Sequence, residues 1–284
     1  MRRRLCGTTL LLAAIAASCT KPRAPDAPRL DAAPEVDAPA TEGGAHGITD
    51  AAPPSDAGIA DARAPVTREI GPFETPLDDK GKRKVYYAIT ASAKPGGTRL
   101  LANLHGVCNP PGYACGYWIG TAAEFGFLVC PEGDGHCGGE YNPPTWTGGT
   151  ARMDEDLERA IEIVLARHPG EVVREGAILT GFSRGAYAAV EIARRHPGRW
   201  PYLILNEADV ALDAKSLEAS GVKAVALIAG EYGSQVAGER ATVKRLTAQK
   251  FPAKLWVMPK AGHFYSADIA DIMREAIAFV LAER

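Results

Sequence analysis

The chain has 284 residues, of which 46% are apolar and 23% are charged, and its formal net charge is −2. This balance argues against a nucleic-acid-binding protein that relies on bulk positive charge. No apolar run in the sequence reaches the ~18 residues that a membrane-spanning helix needs.

The aromatic residues are unevenly distributed along the chain. None of the Trp, Tyr and Phe residues precedes Phe73. A stretch without aromatic residues or apolar periodicity cannot bury enough surface to form a core. We therefore expect one folded domain over residues 70–284, an ordinary size for an α/β domain.

Residues 1–18 have the pattern of a secretory signal peptide. Three arginines follow the first methionine, and an apolar run then ends at Ala17. A positive start, a short apolar middle and small residues before a cleavage site are typical of such signals. Residues 16–19, Ala-Ala-Ser-Cys, resemble a bacterial lipobox, which implies lipidation of Cys19. Plain secretion with an incidental cysteine is the alternative.

Residues 19–69 are rich in Ala, Pro and Asp. Proline-rich chain of this kind is extended and semi-rigid, so this segment is expected to be a disordered linker. Together with a lipidated Cys19, it predicts a domain exported to a bacterial-type cell envelope and held there at a membrane by the lipid anchor.

Four cysteines remain in the expected domain: Cys108, Cys115, Cys130 and Cys137. An even number of cysteines in an exported domain favours disulfide bonds. Sequential pairing is the simplest arrangement, and a cross-pairing that ties the two loops together is an equal alternative. A zinc site that uses His136 is a further reading, but the spacing is not that of a zinc knuckle. The expectation is no metal.

Strand and helix patterns alternate from residue 84 onward. Short runs rich in β-branched and aromatic residues predict strands at 84–90, 99–104, 127–130, 177–180, 202–205, 222–229 and 254–258. Apolar residues at steps of three and four, or end signals, predict helices at 151–168, 184–195, 239–249 and 267–281. This alternation predicts a doubly wound, mostly parallel α/β sheet covered on both faces. Ligands of such sheets bind beyond the carboxyl ends of the strands.

The sharpest motif is Gly181-Phe182-Ser183-Arg184-Gly185, which matches G-x-S-x-G. It lies where a buried strand is expected to turn into a helix, the context that this nucleophile motif requires. The tight turn would project the Ser183 hydroxyl above the sheet. The backbone N–H of Arg184, at the start of the helix, is placed to bind an oxyanion.

From about residue 83 to its end, the chain resembles the α/β-hydrolase superfamily. The resemblance rests on the serine motif, on His105-Gly106 after an early strand and on His263 after the last strand. The motifs are similar to those of secreted esterases of the polyhydroxyalkanoate-depolymerase and feruloyl-esterase type. The resemblance implies that Val107 supplies a second oxyanion amide and that His263 is the base. It implies no cofactor.

The acid of the expected triad departs from the superfamily pattern. The superfamily places an Asp three residues after the glycine that ends the penultimate strand, and here that position is Gly233. Three carboxylates are alternatives. Glu231 is preferred because it lies on the expected loop, whereas Glu207 and Asp209 follow the preceding strand. Each keeps the acid between serine and histidine in chain order.

Two long loops, 106–118 and 131–149, are expected to border Ser183. Their aromatic residues would either form a stacking wall for a sugar or aromatic ester or pack the loops together. These residues are Tyr113, Tyr117, Trp118, Tyr141 and Trp146. The short connection between the strands at 202–205 and 222–229 predicts no large cap domain. An open site of this kind would admit a bulky or polymeric ester.

The sequence therefore predicts an exported serine hydrolase, most consistent with a carboxylic-ester hydrolase that forms an acyl-enzyme. Its expected partners are a small-molecule or polymeric ester and a membrane, with no nucleic acid. A serine peptidase on the same fold is one alternative. A non-catalytic binding protein that has lost its triad acid is another.

Overall fold

The computed structural model describes residues 71–90 and 97–283. The expected signal peptide, the linker over 19–69 and the lipidation site Cys19 lie outside the described residues. Within the described ranges, no helix is both long and apolar enough to cross a membrane.

Eight of the strands form one sheet in the order β1-β2-β4-β3-β7-β8-β9-β10. The bounds of the strands are β1 Phe73–Pro76, β2 Lys84–Ala88, β3 Thr98–Leu104, β4 Phe127–Pro131, β5 Gly135–His136, β6 Pro144–Thr145, β7 Val172–Phe182, β8 Tyr202–Asn206, β9 Ala224–Gly230 and β10 Ala253–Met258. The β1–β2 and β2–β4 pairs are antiparallel, and the pairs from β4 through β10 are parallel. Strands β5 and β6 form a separate antiparallel pair.

Helices cover both faces of the sheet. They are α1 Pro111–Ala114, α2 Ile119–Phe125, α3 Thr150–Arg167, α4 Arg184–Arg195, α5 Ala214–Ala219, α6 Val236–Ala248 and α7 Ile269–Ala282. Successive strand residues point to opposite faces, so Leu100 and Leu101 of β3 belong to different hydrophobic clusters. Leu157 of α3 packs in the first cluster and Met273 of α7 in the second. The predicted doubly wound, mostly parallel α/β sheet is confirmed.

The structure adds elements that the sequence pattern did not indicate. Strand β1 contains a proline and pairs only with β2, and an edge strand tolerates proline because one side of it needs no ladder partner. Helices α1 and α2 lie in or beside a stretch rich in Gly and Pro, and each is too short to show a helical pattern of apolar residues in the sequence. The 207–223 connection carries the short helix α5 and no large cap.

The register of the parallel strands brings their carboxyl ends to one edge. Leu104 pairs with Gly181, Phe182 with Asn206, and Gly230 with Met258. The residues that directly follow these strands therefore meet at the same rim.

Candidate active site

Ser183 lies between β7 and α4 on a sharp turn. Its backbone has φ 52° and ψ −121°, which a non-glycine residue seldom adopts. Such a conformation costs roughly 1–3 kcal/mol and persists only where the surroundings enforce it. Here the Ser183 N–H donates to the carbonyl of Asn206 at 2.8 Å, which fixes the turn to the neighbouring strand.

Two glycines leave room for this turn: Gly185 of the serine motif and Gly106 of the loop after β3. A Cβ at Gly185 would collide with the carbonyl oxygen of Leu104, because α4 begins directly against β3. A Cβ at Gly106 would lie 3.2 Å from the Cβ of Ser183, so the backbone after β3 also passes close to the serine. A side chain at position 185 would force α4 away from β3, whereas one at position 106 would require smaller shifts of Phe182 and Ser183.

A chain of hydrogen bonds links Ser183, His263 and Glu207. The Ser183 Oγ lies 2.9 Å from His263 Nε2, and His263 Nδ1 lies 3.2 Å from Glu207 Oε2. In the tautomer that suits both contacts, Nδ1–H donates to the carboxylate and Nε2 accepts from the hydroxyl. This is the arrangement by which a histidine takes the proton of a serine nucleophile.

Glu207 is held firmly behind the histidine. Its side chain is fully buried, its backbone has φ 55°, and its Oε1 accepts the N–H of Gly230. Burial raises the pKa of Glu207, whereas the Gly230 N–H and the His263 ring oppose this shift. The left-handed turn directs the carboxylate from the end of β8 across the end of β9 toward His263.

The preference for Glu231 as the acid is corrected by this geometry. Glu231 is exposed, and its Oε2 accepts the N–H of Lys260 at 2.9 Å, so it braces the loop that carries His263. Asp209 is also exposed and accepts the hydroxyl of Tyr187. Of the three alternatives, Glu207 is the one bonded to the imidazole.

Gly233 leaves room for the carboxylate that is bonded to His263. A Cβ at this position would lie 3.0 Å from Glu207 Oε2. The space that a side chain at position 233 would need is therefore taken by the Glu207 carboxylate. Glycine at this position and glutamate at 207 are mutually compatible, and a larger residue at 233 would displace the acid.

Glu239 lies beneath this turn and is fully buried. Its Oε1 accepts the N–H of Ala208 at 2.8 Å, which secures the backbone just after Glu207. Burial, and then the charges of Glu207 and Asp209, raise the pKa of Glu239 to about 9. Glu239 is therefore uncharged at neutral pH and does not repel the Glu207 carboxylate.

Of the two residues expected to supply oxyanion amides, Arg184 directly follows Ser183, and Val107 directly follows Gly106, whose backbone passes close to Ser183. Val107 is two residues past His105 on the loop that approaches Ser183, and Arg184 is the first residue of α4. N–H groups in the first turn of a helix have no intrahelical acceptor. The Arg184 guanidinium donates to the carbonyls of Trp146 and Gly148 at 2.9 and 2.7 Å, so this side chain also fastens the second loop, which the motif alone did not indicate.

His105 is a packing residue at the base of the oxyanion loop. The ring is buried, its Nε2 accepts the N–H of Gly133 at 2.9 Å, and its Nδ1 donates to the carbonyl of Gly106 at 2.8 Å. Burial lowers the pKa of His105 to about 4, so the ring is neutral at neutral pH. It also stacks on Trp146 at 4.7 Å between ring centroids.

Two disulfide bonds hold the loops around the serine. Cys108 is bonded to Cys137, and Cys115 to Cys130. This is a cross-pairing rather than the sequential pairing, and it ties the loop after β3 to the chain after and within β4. Because Cys137 is in a disulfide, it has no thiolate to offer a zinc ion, and the alternative of a zinc site with His136 is not supported. The Cys108–Cys137 bond starts one residue after Val107 and so restrains the oxyanion loop.

The five loop aromatics divide into three groups. Trp118 and Trp146 are buried and donate to the carbonyls of Ala114 and His105, so they pack the loops. Tyr113 stacks on Tyr265 at 5.4 Å between centroids. The remaining two are exposed at the surface: Tyr117 and Tyr141.

Comparison with known proteins supports the fold. No protein-family model and no curated protein sequence matches this chain. Among solved structures, the chain is similar to the feruloyl esterase module from Clostridium thermocellum complexed with sinapinate, at 12% identity and TM-score 0.56, covering 78% of this chain and 90% of that one. It is also similar to esterase PE8, at 18% identity and TM-score 0.53, covering 75% and 100%. An S-formylglutathione hydrolase from Agrobacterium tumefaciens matches at 14% identity and TM-score 0.52, covering 74% and 94%.

At these identities the likeness is one of fold. The domain has the α/β-hydrolase fold of these esterases and hydrolases.

Proposed function

We propose that this protein is a serine hydrolase that cleaves carboxylic esters. The observation that supports this function is the continuous chain of hydrogen bonds from the Ser183 hydroxyl through His263 to Glu207. The esterases and hydrolases with the same fold favour an ester over other acyl substrates.

In the proposed reaction, Ser183 attacks the ester carbonyl while His263 Nε2 takes the hydroxyl proton. The amides of Val107 and Arg184 stabilise the negative charge that develops on the carbonyl oxygen. His263 then protonates the alcohol, which leaves the acyl group on Ser183. A water molecule that is deprotonated by His263 attacks the acyl-enzyme, and the carboxylic acid departs. Glu207 stabilises the imidazolium that forms in both halves of the reaction.

Labelling with a fluorophosphonate tests this proposal. We expect the wild-type protein to be modified once, at Ser183, and to lose hydrolysis of p-nitrophenyl acetate in the same proportion. Ser183→Ala should take up no label. A wild-type protein that neither reacts nor hydrolyses the ester would instead favour the non-catalytic binding protein.

We further propose that the substrate is a bulky or polymeric ester. The described residues include six exposed large apolar side chains, and each lies in a connection that begins at the carboxyl end of a sheet strand, the edge that also carries Ser183. They are Val107, Tyr117, Tyr141, Tyr187, Tyr232 and Phe264. The His263 side chain is itself 44% exposed, so the site opens to solvent at the edge of the sheet where these side chains lie, and we call the five aromatic ones the aromatic rim. Exposed apolar patches of this kind mark surfaces of interaction.

Truncation of the aromatic rim should separate soluble from insoluble substrates. Burying an aromatic side chain against a partner contributes about 1.5–3 kcal/mol, which corresponds to roughly a tenfold effect or more in binding. We expect Tyr117→Ala and Tyr232→Ala each to lower the hydrolysis of an aliphatic polyester film about tenfold and to leave p-nitrophenyl acetate hydrolysis within about twofold. A wild-type enzyme that is active on the soluble ester and inert toward every polymer would refute this substrate class without touching the hydrolase assignment.

The place where the protein works is also a proposal. Four cysteines in two disulfides indicate an oxidising compartment outside the cytoplasm. This agrees with the export signal expected at residues 1–18. Lipid anchoring at Cys19 rests on the sequence pattern alone.

A further inference from the structure

A cavity lies at the edge of the sheet opposite to the edge that carries Ser183. It is a groove of about 730 Å³ at the amino ends of β3, β7 and β8 and just before β9. The full length of β7, Val172–Phe182, separates it from the serine. Its size falls within the range of sites that hold a small organic ligand.

The charged side chains that line this groove are mostly cationic. They comprise four cations, Arg99, Arg174, Arg199 and Lys223, and one carboxylate, that of Glu175. Behind the groove, Glu158 accepts from Arg174 at 2.8 Å and from Arg199 at 2.5 Å through the same oxygen. This shared carboxylate orients the two arginines but neutralises them only in part. Lys223 makes no ion pair with any residue that the structure describes.

Arg99 is the unusual member of the set. Its side chain is partly buried on β3, and its Nε is fully covered with no hydrogen-bond partner in the described part of the chain. The guanidinium lies against Gly176, where a Cβ would be 3.4 Å from Nε. Burial lowers the pKa of Arg99, and no carboxylate among the described residues offsets the loss of hydration. Arg99 forms no ion pair with a described residue, and a partly desolvated cation is stabilised by an anion that binds beside it.

We propose that this groove binds a ligand through a phosphate group, which supplies the counter-charge that Arg99 lacks. A guanidinium is the side chain best suited to bind phosphate with two parallel hydrogen bonds. Lys223 and the half-neutralised Arg174 and Arg199 provide further positive charge around the same space, and this favours a group with up to two negative charges over a single carboxylate. The proposal is independent of the hydrolase chemistry, because the groove shares no residue with the serine site.

Thermal unfolding of the full chain in sodium phosphate, compared with sodium chloride at equal ionic strength, tests the proposal. A ligand that binds only the folded state raises the Tm as its concentration rises above its Kd. We expect phosphate to raise the Tm of the wild-type protein and of Lys244→Met, a control that removes an exposed cation of α6. Arg99→Met should raise the phosphate concentration needed for a given increase in Tm at least tenfold, because the charge-assisted hydrogen bonds of the guanidinium are lost.

Arg99→Met should also unfold at the same temperature as the wild type or higher in chloride, because a partly buried cation without an ion-pair partner is removed. Lys223→Met, at an exposed position, gives a second test that does not perturb the sheet and should weaken the phosphate response severalfold. Equal Tm values for the wild type in the two salts, or equal responses from wild type, Arg99→Met and Lys223→Met, would overturn the proposal.

Two sources of the phosphate group are then distinguished directly. Glycerol 1-phosphate in solution represents a soluble phosphate ester, and vesicles of phosphatidylglycerol, compared with phosphatidylcholine, represent a lipid headgroup. If glycerol 1-phosphate raises the Tm and the protein does not sediment with phosphatidylglycerol vesicles, the result supports a soluble ligand. Sedimentation on phosphatidylglycerol that Arg99→Met abolishes would support the headgroup.

Discussion

Ser183→Ala is expected to lower kcat for ester hydrolysis about 10⁶-fold, the loss seen when the nucleophile of a serine hydrolase is removed. The physical reason is that the Ser183 hydroxyl lies 2.9 Å from His263 Nε2, and no other nucleophile in the described ranges is hydrogen-bonded to that nitrogen. Rates are measured with p-nitrophenyl acetate at saturating concentration.

Two controls sharpen this result. Ser234→Ala removes an exposed serine from the loop after β9 and should leave kcat unchanged. The kcat values of His263→Ala and of the double variant Ser183→Ala/His263→Ala should lie within about tenfold of the kcat of Ser183→Ala. Residues that act as a unit do not contribute additively. A Ser183→Ala protein that keeps more than a few per cent of the activity would rule out the proposed nucleophile.

Glu207→Gln is expected to lower kcat about 10⁴-fold, the effect of replacing the triad carboxylate by an amide in the protease template. The Gln carbonyl can still accept from the Gly230 N–H, which leaves the amide NH₂ facing His263 Nδ1. The imidazole would then keep its proton on Nε2, the tautomer that cannot accept from Ser183. Because the change is nearly isosteric, the fold should survive, and circular dichroism checks this.

The matched control is Glu231→Gln, at the other carboxylate of this rim. Its contact is with the Lys260 N–H, so we expect a loss of less than about tenfold, through a looser His263 loop. A large loss in Glu231→Gln with near-normal rates in Glu207→Gln would reverse the assignment of the acid.

A rescue experiment tests the link between positions 207 and 233. Glu207→Gly is compatible with φ 55° and empties the space beside position 233. Adding Gly233→Asp places a carboxylate in the same space, because a Cβ at position 233 lies 3.0 Å from the place that Glu207 Oε2 occupies in the wild type. We expect the double variant to be faster than Glu207→Gly alone. Gly233→Asp alone should be slower than wild type, because two carboxylates would compete for one site.

Much of this fold could be predicted because the signals are local. Apolar runs mark the buried strands, and helix α4 begins and ends at the predicted residues, Arg184–Arg195. The serine turn was visible as well, because its small residues are required by the close approach of β3. The rim position of His263 follows from the order of parallel strands, since each carboxyl end reaches the same edge.

The triad acid could not be chosen from the sequence, for a specific physical reason. Glu231, Glu207 and Asp209 all follow strands that end at this rim, and chain order permits each. What separates them is the left-handed backbone at Glu207 and the close fit of its carboxylate against Gly233, which only the folded chain reveals. The disulfide pairing was open for the same reason, because it depends on which loops the sheet brings together. The cationic groove gave no motif at all, since its residues come from four separate strand beginnings.

The carboxylate bonded to His263 follows the strand before the expected one, and this position has a consequence for recognising related chains. A pattern search that demands aspartate three residues beyond the glycine of the penultimate strand would pass over this sequence, although serine, histidine and carboxylate all stand at one rim. A pattern that accepts either an acid there, or glycine there with an acid just after the preceding strand, would retrieve both arrangements. Proteins set aside as inactive for want of that aspartate merit a second inspection one strand earlier.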